Sequence, residues 1–115
     1  MELLDILGAR IWVAAHSENW RHRAAAVQAV LNFSQDKLPE RYGNGKTKHL
    51  FLALMEFARI TAEDKVLQIY YLSLKIMTVA LAPPICGDDV PPALINKSIQ
   101  KFLNILIEKS TFVVT

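Results

Sequence analysis

Cysteine is nearly absent from this chain of 115 residues, which holds Cys86 alone. One thiol cannot form a disulfide within the chain, so a reducing compartment, the cytoplasm, is the expected setting. Cys86 also has no histidine near it in sequence and no basic helix terminus to activate it. Glycine and proline are few, at 4 and 5 residues, and 52% of the chain is hydrophobic. That composition is not that expected of a disordered chain and is enough to bury one small core. A strong charge of either sign is missing too. The formal net charge is +2, far from the heavy basic face of a nucleic-acid binder. Long apolar runs are lacking: the greasiest stretch, Val66 to Ala82, is interrupted by Gln68 and Lys75. A membrane-spanning helix needs about 20 mostly apolar residues, so that stretch is expected to be a buried helix, with no membrane partner. The opening MELLDILGAR carries neither a basic region nor a small-residue cleavage site, and is not expected to be a secretory signal.

Catalytic and metal constellations are equally scarce. His16, His22 and His49 form no ligand pattern with Cys86, and His16 and His22 stand six apart, on different sides of a helix. No metal or cofactor is expected. Gly43-Asn44-Gly45-Lys46 looks like a phosphate-binding loop but lacks the full spacing and reads better as a flexible connection. Asp88-Asp89 reads as a solvated turn between prolines. Asn96-Lys97-Ser98 matches a glycosylation acceptor but falls inside an expected helix. No nucleophile and base come together in the sequence, and the chain is not expected to be an enzyme.

Helical periodicity is what remains, in five segments, with no convincing strand alternation. The spacing predicts helices near Glu2–Ala15, Trp20–Phe33, Lys48–Arg59, Ala62–Leu81 and Pro92–Lys109. Leu3, Leu4, Ile6, Leu7, Ile11 and Val13 supply the apolar positions of the first. The fifth carries a wide apolar stripe from Leu94 to Leu106. Asn19 or Ser17 suits the cap of the second helix. Thr61-Ala62-Glu63-Asp64 fits a capping box for the fourth, and Pro92 suits the first turn of the fifth.

The connections alternate. His16–Asn19 and Ile60–Glu63 are short, whereas Gln35–Thr47 and Ala82–Pro91 are long. Such a rhythm belongs to paired antiparallel helices. Ser17 and Thr61 lie 44 residues apart, and Ser110 lies 49 beyond Thr61. Helix pairs recurring at such a period predict an all-α, HEAT/armadillo-like α-solenoid. About two and a half repeats fit the chain, near 1–34, 47–82 and 92–115, in a single domain. Phe112–Thr115 would begin the next helix. The chain then looks like a piece of a longer array, with apolar surface exposed at its C-terminal end and self-association possible there.

In such a stack the short turns align along one edge. They offer Asn19, Trp20, Arg21, His22 and Arg23 on the first turn, Glu63, Asp64 and Lys65 on the second, and Lys109, Ser110 and Thr111 on the third. Trp and Arg dominate interface hot spots. Trp20 is either a docking residue or a staple folded back on the first helix. Asp64 is a cap or a contact. Arg21 and Lys65 have a solvated face as their default.

The stretch Asn19-Trp20-Arg21-His22-Arg23-Ala24-Ala25-Ala26-Val27 resembles the opening of a TOG domain, the tubulin-binding HEAT array. Ala62-Glu63-Asp64-Lys65-Val66 resembles the second turn of that family, and Tyr70 to Met77 its second repeat helix. The likeness is greatest to TOG domains of ciliary-tip and centrosomal proteins. The resemblance implies binding to αβ-tubulin or microtubules, in cytoskeleton, centrosome or cilium. It implies Trp20 as the first-turn anchor, Arg21 and Arg23 as its basic neighbours, and Asp64 and Lys65 as second-turn contacts. Arg23 could instead pair across the helices as a structural residue. The alternative is a generic HEAT scaffold whose partner docks on a helical face, with Ile99, Phe102 or Ile107 of the fifth helix as the interface.

Overall fold

The computed structural model of the chain describes residues 8–36, 47–82, 85–86 and 90–114, with the backbone alone at 36, 47 and 109–114. It is all-α: α1 is Ala9–Ala15, α2 Trp20–Asp36, α3 Thr47–Thr61, α4 Leu67–Leu81 and α5 Pro92–Val114, with no strand among the described residues. Helix α1 packs on α2, α2 on α4, α4 on α3, and α3 on α5. Leu3, Leu4, Ile6 and Leu7, the Gly43–Lys46 stretch and the Asp88–Asp89 pair lie outside the described residues.

Helix α3 is the centre of the core. Leu50, Phe51, Ala53, Leu54, Met55, Phe57 and Ala58 are all buried, so the helix is covered around most of its circumference, as a helix with neighbours on two sides must be. Helix α4 buries Ile69, Tyr70, Leu72, Ser73, Ile76 and Ala80. The alanine-rich start of α2 has high helix propensity. Its small side chain at Ala24, with Val27, Val30 and Leu31, joins the core, and Ala26 is buried as well. Ile85 and Val90, from the connection between α4 and α5, are buried as well. The polar groups in the core are paired: the Ser73 hydroxyl donates to the Ile69 carbonyl at 2.8 Å, and the Thr61 and Ser73 hydroxyls meet at 2.6 Å.

Three helices differ markedly at one end from the sequence expectation. The first helix does not run through Gly8, which stands ahead of Ala9 at φ 87°. That left-handed value costs most residues strain and glycine little, and it interrupts the expected continuous helix. The fourth helix begins at Leu67, five residues later than Ala62. Thr61 is the last residue of α3 and caps nothing: its hydroxyl donates back to the Phe57 carbonyl at 3.0 Å, a bond a helix-interior threonine makes readily. The fifth helix continues past Lys109 to Val114. The expected third turn at Lys109, Ser110 and Thr111, and a new helix starting at Phe112, are therefore absent. Ser110 and Thr111 disfavour a helix only weakly, and no Gly or Pro stops it there.

Two side-chain expectations change with them. Phe102 is 1% exposed and belongs to the core. Ile99 is half-buried, and among the described side chains the exposed large hydrophobics of α5 are Leu103 and Ile107. Val13, expected among the inward positions of the first helix, is 69% exposed. Trp12 beside it packs against the core instead, with Ile11 and Ala15.

Phe57→Ala should destabilise the domain by about 3–5 kcal/mol, the usual cost of emptying a buried phenylalanine site. Urea unfolding followed by circular dichroism measures it. A loss under about 1 kcal/mol would mean that Phe57 is not packed in the core.

Candidate functional site: two pinned turns

The turn between α1 and α2 is built from short local bonds. His16 caps α1, its amide donating to the Val13 carbonyl at 3.1 Å and its Nδ1 to the Trp12 carbonyl at 2.8 Å. The Ser17 hydroxyl accepts the Asn19 amide at 3.2 Å. Asn19 then caps α2, its Oδ1 accepting the Arg21 amide at 3.0 Å. This satisfies one of the orphan donors that every helix start carries. Trp20 is thereby fixed as the first residue of α2.

The turn between α3 and α4 uses an aspartate. The Asp64 amide donates to the Thr61 carbonyl at 3.1 Å, and Asp64 Oδ1 accepts the Val66 amide at 2.9 Å. A carboxylate bonding an amide two residues on is the turn-forming habit of aspartate. Val66 occupies the cap position of α4 without a side-chain bond of its own.

Arg23 joins the two turns. Its Nε donates to Asp64 Oδ2 at 2.7 Å and its Nη2 to Asp64 Oδ1 at 3.2 Å. Its Nη1 donates to the carbonyls of Ser17 at 2.8 Å and Glu18 at 3.1 Å. One guanidinium thus grips a carboxylate with one edge and the first turn's backbone with the other, a geometry that lysine cannot reproduce. The side chains are only 20% and 11% exposed. The hydrogen bond to Asp64 raises the pKa of Arg23 further above its ordinary value, so the pair stays ionised.

The five expected site residues therefore divide. Arg23 and Asp64 are brought together, and each is occupied by the other. Arg23 pairs across the helices, as one of its two readings expected. Trp20, Arg21 and Lys65 are exposed. Trp20 is 41% exposed and lies outside the core cluster. The Arg21 guanidinium carbon stands 5.7 Å from the centre of the Trp20 ring, within cation–π range. The tryptophan that packs half-buried against the core is Trp12. Lys65 and Arg21 make no ion pair among the described residues.

Behind the second turn, Arg59 is bonded to Glu56 through two nitrogens and lies 3.9 Å from Glu63. Arg59 sits in the last turn of α3, where a cation suits the helix dipole. Its hydrogen bond holds the Glu56 carboxyl below the usual carboxylate range.

One nucleophile–base approach occurs among the described residues. Ser17 Oγ and His22 Nδ1 are 3.4 Å apart, at the long limit of a hydrogen bond. The Ser17 oxygen already accepts the Asn19 amide, and no carboxylate orients the imidazole. No group of three or more metal-ligating side chains converges among the described residues. No described helix is long and apolar enough to cross a membrane.

A shallow groove of about 850 Å³ runs beside the first turn, lined by Ala9, Arg10, Trp12, Val13, Ala14, His16, Ser17 and His22. Apolar periodicity places Val13 among the inward positions, and no groove is expected there. No family model matches the chain, and neither does any curated protein or solved structure.

Two outcomes follow from this geometry. Arg23→Ala and Asp64→Ala should each lower the melting temperature, while the double variant should lose clearly less than the sum of the two. Strict additivity would show that the fork does not operate as a unit. Glu56→Gln should destabilise the domain at neutral pH, with the gap closing in acid. A carboxyl with a lowered folded-state pKa contributes stability above the ordinary carboxylate range and loses it as pH falls through the lowered value. Urea titrations at neutral and acid pH read the gap; a gap independent of pH would contradict the Arg59 contact.

Proposed function

We propose that the chain is a stack of HEAT-type helix pairs that binds αβ-tubulin or microtubules through its short turns, in a centrosomal or ciliary protein. On this reading α1–α2 and α3–α4 are the pairs. The α2–α4 and α3–α5 contacts are then the stacking between units, and α5 opens a third. The likeness of the Trp20 segment to the TOG family supports the partner.

The observation that carries the proposal is a tryptophan 41% exposed at a turn held by the Arg23 hydrogen bonds. A residue as large as Trp20 could have been buried at a gain of about 1.5–3 kcal/mol or more. Instead it stands at the helix start, beneath Arg21, on a turn fixed by Arg23. A preformed hot-spot residue loses little ordering entropy on docking. Trp20 is the anchor in this proposal, Arg21 its basic neighbour and Lys65 the second-turn contact. Arg23 and Asp64 are positioning residues that keep the turns side by side. The basic side chains steer an acidic partner such as tubulin and set specificity. The chain acts as a binding module, without cofactor, metal or catalytic step.

A second mode has its own observation: Leu103 is 45% and Ile107 63% exposed on α5. A scaffold of this kind would take a protein partner, or a second copy, on that face.

Co-elution with purified αβ-tubulin on a sizing column tests the first mode. Wild type should co-elute, and Trp20→Ala should weaken binding by about 30-fold or more, the scale of a hot-spot residue at about 2 kcal/mol. Helicity and melting temperature should hold, since Trp20 lies outside the core. Arg21→Glu with Lys65→Glu should also weaken co-elution, whereas Leu103→Asp should not. Absence of wild-type co-elution, or sensitivity to Leu103→Asp alone, would contradict the turn-ridge reading.

A further inference from the structure

We propose that the side of α4 carrying Tyr71, Leu74 and Thr78 is a docking site for a single amphipathic helix of a partner protein, with small residues on its contact stripe. The two turns repeat each other bond for bond. The Ser17 hydroxyl accepts the Asn19 amide, and Asp64 Oδ1 accepts the Val66 amide. The Asn19 carbonyl accepts the His22 and Arg23 amides, and the Val66 carbonyl accepts those of Ile69 and Tyr70. Each position of α2 therefore has its counterpart on α4 47 residues on, against the 44 expected from Ser17 and Thr61. The fork joins the starting ends of the two helices, so they run side by side in one direction.

Counterparts differ in burial, and the difference has a direction. Ala24, Val27 and Leu31 are buried on α2, whereas Tyr71 and Thr78 are exposed on α4 and Leu74 is half-buried. The reverse holds for Ala25 and Ala29, exposed on α2, against Leu72 and Ile76, buried on α4. Each of the two helices has its own neighbour, α1 or α3, and they pack on each other. What differs is that α2 has α4 on one side, while α4 has α2 on the other. The side of α2 that α4 covers thus corresponds to the side of α4 that stands open. A helix laid on α4 as α4 lies on α2 would cover Tyr71, Leu74 and Thr78. Between Val66 and Ala82 the only charged residue is Lys75, and a charge-poor surface with an aromatic has the composition of an interface core.

Size says what kind of helix fits. Where α2 carries Ala24, α4 carries Tyr71, so the open side is the bulkier one. Closely packed helices set large residues against small ones, and the arriving helix must be small where it meets Tyr71. The exposed edge of α2, with Ala25 and Ala29, has that character. A second copy brings this edge only with its α1 attached. On the pair reading proposed above, α5, packed on α3, already holds the place that α1 would need. The occupant is therefore a lone helix of another protein.

The site rests on that pairing of helices and not on tubulin. The probe is a fluorescein-labelled peptide of residues 18–36, α2 without α1, followed by fluorescence anisotropy against the full chain. It should bind. Tyr71→Glu and Thr78→Glu in the chain should each weaken it by about tenfold or more, a difference of about 1.4 kcal/mol. Both positions are exposed, so circular dichroism should show the fold unchanged. The same peptide with Ala25→Lys and Ala29→Lys should bind at least about tenfold more weakly. Trp20→Ala in the chain should leave the probe's affinity as it was, and the chain alone should sediment as a monomer. Three results would overturn the proposal: no binding of the probe, equal binding of the lysine-substituted peptide, or binding untouched by Tyr71→Glu. So would an oligomer that Tyr71→Glu dissociates, because a second copy would then own the face. Failure of the peptide leaves the tubulin co-elution intact, and failure of co-elution leaves this site intact, so the two readings fall separately.

Discussion

The fork between Arg23 and Asp64 sets the geometry of everything at this end of the molecule. Without it, α2 and α4 would still pack, because burial drives that contact. Burial is not directional, however, and helices in contact can slide or rotate by small amounts at little cost. The fork removes that freedom at the turns. Four hydrogen bonds leave one guanidinium, two to a carboxylate that also holds its own turn through the Val66 amide. Partial burial keeps water from competing for these groups. The pair is a device for register more than for stability, since desolvating two charges offsets much of their attraction.

The core supplies the platform on which that register matters. Helix α3 is enclosed on most sides, and its neighbours α4 and α5 are placed by Phe51, Phe57 and Phe102. The turn from α3 to α4 inherits that rigidity. Helix α1 is the opposite case: seven residues, none buried, leaning on α2 through Ile11, Trp12 and Ala15. One turn is thus anchored by the core and the other by the first turn's bond to it. The proposed ridge joins them, with Trp20 and Arg21 on the dependent side and Lys65 on the anchored side.

Much of this was legible in the sequence, and the limits have physical causes. The all-α class and the presence of two short connections followed from apolar periodicity and from the polar stretches expected at His16–Asn19 and Ile60–Glu63, the second of which lies a few residues later in the fold. The Asn19 cap was readable because capping is a local interaction. Thr61 misled because a threonine followed by Glu-Asp fits a capping box by spacing, while its hydroxyl had a nearer acceptor in the preceding turn of α3. Ser110 misled through the repeat period, since the expected turn had no helix-breaking residue to enforce it. Phe102 and Val13 exchanged places relative to expectation because the stripe on each helix is wide, and periodicity does not say which edge of a stripe meets a neighbour. The Arg23–Asp64 pair spans 41 residues, a separation at which sequence spacing gives no guide. Pairing across the helices was one reading of Arg23; its partner was not identifiable before the fold placed the turns together.

The central claim is that two pinned turns form one binding edge for tubulin. Hydrogen–deuterium exchange of the chain, with and without saturating αβ-tubulin, tests it most directly. The account predicts slowed exchange at the amides of residues 19–23 and 64–66 together, with residues 100–108 of α5 unchanged. Protection confined to α5, or to one turn without the other, would contradict it.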